Sequence, residues 1–235
     1  MTESTALAKA PRQHLATTLQ KYAEKIAVFG VDPARYIEAA LMACVKTPEL
    51  FKCTPESVAL ALRQAAQSGL EIGRTAHLLP YGSTCTFVPD YKGLIELACA
   101  TGKVVSIRTR AVFEGEAFVY EETIAGPDLR HTPRTSGSGG KIIGAYAIAD
   151  LRFNRFKVEW MTADEINAVR TKSRSWSKGE LPDWYARKTV VRRLCKTLPQ
   201  NAKLEAALQH DDAEEVAVIE PDHVVDVTHM VEEAA

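Results

Sequence analysis

The segment between Pro182 and Pro199 constrains the fold most strongly, because it is predicted to be one helix with two unlike sides. At about 100° per residue its apolar side chains gather on one face, namely Trp184, Val191, Leu194, Cys195 and Leu198. Its basic side chains gather on the other side, namely Lys188, Arg192, Arg193 and Lys196. The apolar face has to pack against a core. The basic ridge, considered alone, has to meet either a polyanion or solvent, and both interpretations remain open.

Charge is strongly segregated along the chain. Residues 211–235 hold nine acidic residues and no lysine or arginine. Residues 1–210 therefore carry 29 basic and 21 acidic residues, although the formal net charge of the whole chain is −1. Within them, residues 152–203 contain 13 basic and five acidic residues. This segregation predicts a nucleic-acid surface in the basic part, and we expect the acidic end to form a flexible tail.

Length and composition narrow the class of protein. A chain of 235 residues is long enough for one good core. No apolar run approaches the roughly 20 residues of a membrane span, and the first 21 residues lack the apolar region of a signal peptide, so we expect no membrane partner and a cytoplasmic location. The five cysteines contain no C-x-x-C pair, which predicts buried apolar side chains and neither a zinc site nor a disulfide framework.

Hydrophobic periodicity and turn residues predict an α+β fold, with a small antiparallel sheet and helices packed around it. Helices are expected to start at Asp32-Pro33, Thr54-Pro55, Tyr91, the capping box Thr162–Glu165, and Ala202. Strands or hairpins are expected over 77–88, 104–113, 118–122, 142–151 and 156–160, with 118–122 returning beside 104–113 and a mobile loop over 123–141. The predicted organisation is a flexible arm over 1–14, a core over 15–210 and the acidic tail over 211–235.

The motifs of common catalysts are missing. No G-x-x-x-x-G-K-[ST] loop is present, so an ATP-driven motor is excluded in its usual form. Pro89-Asp90 and Pro127-Asp128 each resemble the first half of a metal-dependent nuclease motif, but no Asp/Glu-x-Lys partner follows at a sensible distance. A nuclease or nucleotidyl transferase is therefore disfavoured. What remains suits binding without hydrolysis, with no catalytic residues and no metal ligands assigned.

The candidate DNA-binding residues are cations that can neutralise phosphates and aromatic side chains that can stack on unpaired bases. They are Tyr91, Lys92, Arg108, Arg110, Arg170, Lys172, Arg174, Trp176, Lys188, Arg192, Arg193 and Lys196. Arg108 and Arg110 project from the same face of a predicted strand. For Trp176, which lies in a basic loop, base stacking and simple exposure are both open. For Trp184, core packing is favoured over stacking.

Six segments of the chain share their order and spacing with a known family. They cover residues 62–71, 78–81, 90–98, 144–147, 159–166 and 188–194. The most specific are the Tyr-Lys-Gly helix at Tyr91 and the Lys-Thr…Arg-Arg helix at Lys188. In these segments the chain resembles the RecT/Redβ family of phage and prophage single-strand annealing proteins. The resemblance spans roughly residues 15–212.

The resemblance implies ATP-independent annealing of complementary DNA strands in recombination, on an oligomeric ring or helical filament with a deep basic groove. It implies a 5′→3′ exonuclease partner, Mg²⁺ assistance to DNA binding without a cofactor for turnover, and the cytoplasm of a bacterial host. Tyr91, Lys92, Lys188, Arg192 and Arg193 carry over from it, and the other candidates rest on charge and proximity. Only about 25 residues follow Asp211, where longer members carry a larger module, so docking to the host single-stranded DNA-binding protein remains open. The alternative is a passive single-stranded DNA-binding or architectural protein.

Overall fold

The computed structural model describes residues 3–124, 126–135, 140–171 and 179–216, with side chains between residues 12 and 210. Its helices are α1 (Glu3–Gln20), α2 (Ala23–Ala27), α3 (Pro33–Lys46), α4 (Pro55–Ser68), α5 (Tyr91–Ala100), α6 (Ala163–Thr171), α7 (Asp183–Thr197) and α8 (Ala202–Val216), with a short 3-10 helix at Pro48–Lys52. Its strands are β1 (Ala76–Tyr81), β2 (Thr84–Pro89), β3 (Val104–Phe113), β4 (Ala117–Thr123), β5 (Gly126–Thr132), β6 (Ile142–Leu151) and β7 (Arg155–Thr162). The predicted α+β class with small antiparallel sheets is confirmed. Within the described residues, no helix is long and apolar enough to cross a membrane.

Capping residues determine where α3 and α4 begin and where α4 ends. Asp32 accepts a hydrogen bond from the backbone N–H of Ala34 (3.0 Å), and Thr54 accepts one from Ser57 (3.3 Å). In both helices a proline follows the cap, where its missing N–H is not needed. Gly69 ends α4 with a φ of +71°, a conformation that glycine adopts without a steric cost. The α4 side chains spaced three or four apart are buried, namely Val58, Leu62, Ala65 and Ala66.

Helix α5 is anchored to the β1–β2 hairpin at its first turn. Asp90 caps the helix by accepting from the Lys92 N–H (2.8 Å), and its own N–H donates to the Thr75 carbonyl (2.9 Å). Gly93 lies so close to the hairpin that a Cβ there would come within 2.4 Å of the Thr75 carbonyl oxygen. The glycine therefore permits the close approach that holds Tyr91 and Lys92 in place.

Strands β3, β6 and β7 form one antiparallel sheet in the order β3-β6-β7. Successive rows of the sheet face opposite sides, so the row of Arg108 and Ile148 faces away from the row of Thr109 and Ala147. One face carries three fully buried alanines, Ala145, Ala147 and Ala149, and α7 packs on this face. Their small side chains leave room for the helix backbone. Arg108 and Arg110 project from the other face.

The β4–β5 hairpin differs from the prediction. Residues 118–122 do not pair with β3; β4 pairs antiparallel with β5, and residues 126–132 form a strand where a loop was predicted. Pro127, Pro133 and the Ser-Gly run over 136–140 suggested a loop, but a two-stranded ribbon has free edges where the missing N–H of a proline costs no ladder bond. The hairpin covers part of the sheet face away from α7, where the Phe118 ring lies 4.4 Å from that of Trp160.

The five cysteines are free thiols, and Cys44, Cys53, Cys85 and Cys195 are buried, as predicted. Burial raises the pKa of Cys44 to about 11 and that of Cys85 to about 12, so both remain protonated at neutral pH. The predicted division at residue 15 falls inside α1, and the division at residue 211 falls inside α8. No glycine or proline interrupts α8 between Ala202 and Val216. The flexibility of the arm and of the tail stays a prediction.

Candidate nucleic-acid interface

Helix α7 supplies the centre of the candidate interface because its two sides differ as the sequence predicts. Its buried residues are Tyr185, Ala186, Thr189, Val190, Val191, Leu194 and Cys195. The prediction that Trp184 packs in the core is wrong, because its side chain is 50% exposed and Tyr185 lies inside instead. Thr189 is tolerated in the buried stripe because its hydroxyl donates to the Tyr185 carbonyl (2.9 Å). The buried stripe of α7 therefore includes Tyr185 and leaves Trp184 outside, in contrast to the prediction.

The basic side chains of α7 lie on the side of the helix that is not buried. Arg193 and Lys196 are exposed, while Lys188 and Arg192 are half-buried. The Lys188 ammonium lies 5.8 Å from the centroid of the Tyr185 ring. A cavity of about 120 Å³ opens beside this ridge, and its walls are Met161, Val169, Thr189, Arg192, Arg193 and Lys196. Three cations around a small, partly apolar cavity can hold an anionic group such as a phosphate.

Arg193 is held by two carboxylates of neighbouring elements. Its Nε lies 2.8 Å from Glu159 Oε1 on β7, and its Nη1 lies 3.0 Å from Glu165 Oε1 on α6. Desolvation raises the pKa of Glu159, with Arg193 opposing that rise, whereas hydrogen bonds from the Thr162 backbone and from Arg193 lower the pKa of Glu165. The guanidinium is therefore oriented before any ligand arrives, and a phosphate would have to share it with these carboxylates.

Helix α6 begins as predicted, and it positions Arg170 differently from the prediction. Thr162 and Glu165 form the capping box, with Glu165 accepting from the Thr162 N–H (2.9 Å) and Thr162 accepting from the Glu165 N–H (3.3 Å). Arg170 is only 7% exposed, and its guanidinium donates to the Gly179 carbonyl (2.9 Å) and to Asn167 (3.3 Å). This position suits a side chain that fixes the end of α6 better than one that contacts DNA. Lys172, Arg174 and Trp176 lie outside the described residues.

Arg108 and Arg110 lie on a different surface from the α7 ridge. They project from the sheet face opposite to α7, and both are exposed. Arg108 pairs with Asp150 on β6 (2.9 Å), whose pKa is lowered by a hydrogen bond from the Ser106 hydroxyl (2.5 Å) and by Arg108. The predicted residues are therefore divided between two sides of one sheet. Sequence alone placed both arginines on one strand face but did not show which side α7 would cover.

Tyr91 and Lys92 lie in the first turn of α5, which packs against α7. Lys92 is exposed and Tyr91 is half-buried against the core. The DNA contact of each stays a prediction. The packing of α5 against α7 nevertheless places α5 on the same side of the sheet as α7.

Several residues around the interface were not identified from the sequence. Glu165 was predicted only as a cap, and Glu159 not at all, although strand alternation places Glu159 on the same side as the buried Met161. Among the described side chains, no group of three or more His, Cys, Asp or Glu residues is arranged to hold a metal ion.

Comparison with known proteins gives consistent matches over most of the chain. The sequence profile of the RecT family matches residues 34–224. Protein RecT of Escherichia coli (strain K12) is 31% identical over 198 residues, which covers 78% of this chain and 73% of that protein. The uncharacterized protein YqaK of Bacillus subtilis (strain 168) is 27% identical over 170 residues, covering 70% of this chain and 59% of that protein.

Proposed function

The chain belongs to the RecT family, and from this premise we propose that it binds single-stranded DNA and anneals complementary strands without ATP. Membership in this family implies recombination-related single-strand annealing, and its members are annealing proteins that are not known as hydrolases. The observation that carries the proposal for this chain is the basic ridge of α7 with its cavity, because both lie within the matched region. The ridge is the surface on which a DNA backbone would lie.

The mechanism follows from charge and stacking. Two DNA strands repel each other through their phosphates, and Lys188, Arg192 and Lys196 would reduce that repulsion by neutralising the backbone. Correct pairing supplies the free energy, since stacking contributes about 1.4 kcal/mol per base-pair step. The protein needs only to bind the paired intermediate better than the separate strands, so no ATP is required. Backbone contacts carry no sequence information, which suits a protein that has to pair any complementary strands.

The same proposal includes partners. A homo-oligomeric ring or filament would hold a strand extended along repeated ridges, and a 5′→3′ exonuclease would produce that strand. Mg²⁺ would assist DNA binding and would not act in turnover. A location in the bacterial cytoplasm completes the proposal.

An annealing time course tests the proposal. Two complementary fluorescently labelled oligonucleotides are mixed with the protein without ATP, with and without Mg²⁺, and a non-complementary pair serves as control. We expect acceleration only for the complementary pair. Tight binding without acceleration would instead support a passive single-stranded DNA-binding protein, and shortening of the substrate would indicate a nuclease.

A paired set of variants links the activity to the ridge. Arg192→Gln with Lys196→Gln removes two charges from the ridge, and Lys46→Gln with Lys52→Gln removes two exposed charges from the region of α3 and the 3-10 helix. Arg193 is left unchanged, because it pairs with Glu159 and Glu165 and its replacement would also alter these contacts. We expect the first variant to anneal more slowly. The slope of log DNA affinity against log salt concentration should also become shallower by about 0.7 for each phosphate contact that is lost. Equal effects of the two variants would contradict a role of the ridge.

A further inference from the structure

The turn between β6 and β7 exposes an aromatic side chain in a backbone conformation that aromatic residues rarely adopt. Arg152, Phe153 and Asn154 connect the two strands, and Phe153 is 93% exposed. Both Phe153 and Asn154 have positive φ angles, +63° and +54°. Asparagine tolerates this region, whereas a bulky residue is strained in it. Neither burial nor backbone preference explains a phenylalanine at this position.

A second exposed ring lies beside the turn. Phe156 is 57% exposed and pairs in register with Asp150, which pairs with Ser106 on β3. This row lies on the sheet face away from α7. The β4–β5 hairpin covers the row of Tyr146 and Trp160 and leaves the Phe156 row open. An apolar platform is therefore accessible at this end of the sheet.

The cations around this platform have no acidic partners. Lys103 and Arg152 are exposed, and the Arg152 N–H donates to the Lys103 carbonyl (3.1 Å), which keeps these two residues adjacent. Arg155 pairs in register with Leu151 and therefore belongs to a row that faces α7. In the part of the chain that the structure describes, no carboxylate lies within 4.0 Å of the Lys103 or Arg152 side chain. The surface thus combines flat apolar rings with uncompensated positive charge.

We propose that Phe153 and Phe156 form a base-stacking site for an unpaired DNA strand, with Lys103 and Arg152 contacting its phosphates. A polyanion with flat apolar faces matches both features of the surface, whereas an apolar protein surface would match only the rings. Bases within a duplex already stack on each other, so the unpaired strand is the form that fits. The site would tolerate any sequence, since every base has a stacking face. This inference rests on the proposed function and adds a second contact surface on the opposite side of the sheet from α7.

The test compares two single-stranded probes of equal length, oligo-dT and an abasic strand that carries only the sugar-phosphate backbone. We expect the wild-type protein to prefer oligo-dT. The double variant Phe153→Ala/Phe156→Ala should lose about 5- to 150-fold in affinity for oligo-dT and nothing for the abasic strand. Its salt slope should stay unchanged, because stacking releases no counterions, whereas Lys103→Gln/Arg152→Gln should flatten the slope.

Two controls separate binding from folding. Val28→Ala/Leu60→Ala removes two other exposed apolar side chains, 75% and 53% exposed, and should leave both affinities unchanged. Phe153→Asn accepts the positive φ, so it should melt at or above the wild-type temperature while still losing preference for oligo-dT. If Phe153→Ala/Phe156→Ala loses affinity only because it unfolds, its melting temperature should be lower than that of the wild type. In that case the folded variant Phe153→Asn should bind oligo-dT like the wild type, and this result would overturn the proposal.

The remaining outcomes are also decisive. If Phe153→Ala/Phe156→Ala still prefers oligo-dT to the abasic strand by the wild-type factor, the stacking site is wrong. Unchanged DNA binding together with a changed sedimentation coefficient would show that the rings contact another copy of the chain, which also overturns the proposal. If the wild-type protein binds neither probe, the proposed function itself fails. This failure is distinguishable from failure of the stacking site, because it is seen with the wild-type protein alone.

Discussion

Two arginines of the candidate surfaces, Arg193 and Arg108, are oriented by carboxylates on neighbouring elements. Arg193 lies between Glu159 and Glu165, and Arg108 pairs with Asp150. Such pairs fix the direction of the guanidinium, but the exposed pairs with Glu165 and Asp150 stabilise the fold only slightly. A phosphate has to compete with the carboxylates, so at the scale of single residues the acidic partners should limit DNA affinity.

Replacing the partners of Arg193 tests this competition. In Glu159→Gln/Glu165→Gln the guanidinium keeps hydrogen-bond acceptors but loses two negative charges, and the new amide at position 165 can still complete the capping box. We expect affinity for single-stranded DNA to rise about 1.4- to fivefold, corresponding to the roughly 0.2–1 kcal/mol of an exposed ion pair. Fluorescence anisotropy at several salt concentrations measures it. Asp164→Asn, an exposed acid in the same turn, is the control, and an equal gain there would show that only net charge matters.

His210 makes stability depend on pH. Burial lowers the pKa of His210, whose ring packs edge-on against Phe87 at 6.0 Å. The unfolded chain therefore binds a proton at His210 more readily than the folded protein. Stability is lost as pH falls through the unfolded pKa of about 6.5, until the lower folded pKa is passed.

The variant His210→Phe should remove this contribution. Between pH 7.5 and pH 5 its melting temperature should fall less than that of the wild type, as measured by circular dichroism. Removal of an exposed histidine in His14→Gln is the comparison. Parallel curves for His210→Phe and the wild type would show that His210 does not contribute.

At the scale of elements, the attachment of α5 to the β1–β2 hairpin depends on one missing side chain. A Cβ at Gly93 would meet the Thr75 carbonyl at 2.4 Å and the Leu70 side chain at 3.0 Å. The backbone cannot yield as a flexible side chain would. We therefore expect Gly93→Ala to lower the free energy of unfolding by about 1–3 kcal/mol, in spite of the better helix propensity of alanine.

Urea titration followed by circular dichroism measures the effect of Gly93→Ala. An exposed change on the same helix, Ala100→Ser, should stay within about 0.5 kcal/mol of the wild type. Equal midpoints for the two variants would mean that the approach of α5 to Thr75 is looser than described. A lower midpoint for Gly93→Ala alone would explain why the Tyr-Lys-Gly turn contains a glycine.

At the scale of the whole molecule, the distribution of charge suggests that the acidic end competes with DNA. The basic residues of 152–203 and the acidic residues of 211–235 carry opposite charge within one chain. Truncation after Val216 removes five acidic residues and leaves α8 complete. We expect tighter binding of single-stranded DNA, with the largest gain at low salt and a steeper salt slope.

A charge-neutral full-length chain separates charge from length in that experiment. In it the five acids are replaced as Glu220→Gln, Asp222→Asn, Asp226→Asn, Glu232→Gln and Glu233→Gln. It should reproduce the truncated protein in a salt titration of DNA binding. Unchanged affinity and slope in both would refute competition by the tail.

The sequence by itself determined the α+β class, most helix ends and the two-sided character of α7. These features depend on residues at most four positions apart, such as the Thr162–Glu165 capping box and the i,i+4 row of Lys188, Arg192 and Lys196. The family could also be identified from sequence, because its motifs retain their order along the chain.

Only the tertiary structure decided which charges are held and which faces are covered. Arg193 meets Glu165 across 28 positions, Arg108 meets Asp150 across 42, and the exposure of Phe156 depends on which rows of the sheet the β4–β5 hairpin covers. Periodicity specifies that a face is apolar, but it does not specify which element packs on it. Helix rotation and strand pairing are set by the sum of distant contacts, which is why Trp184 lies outside and β4 pairs with β5.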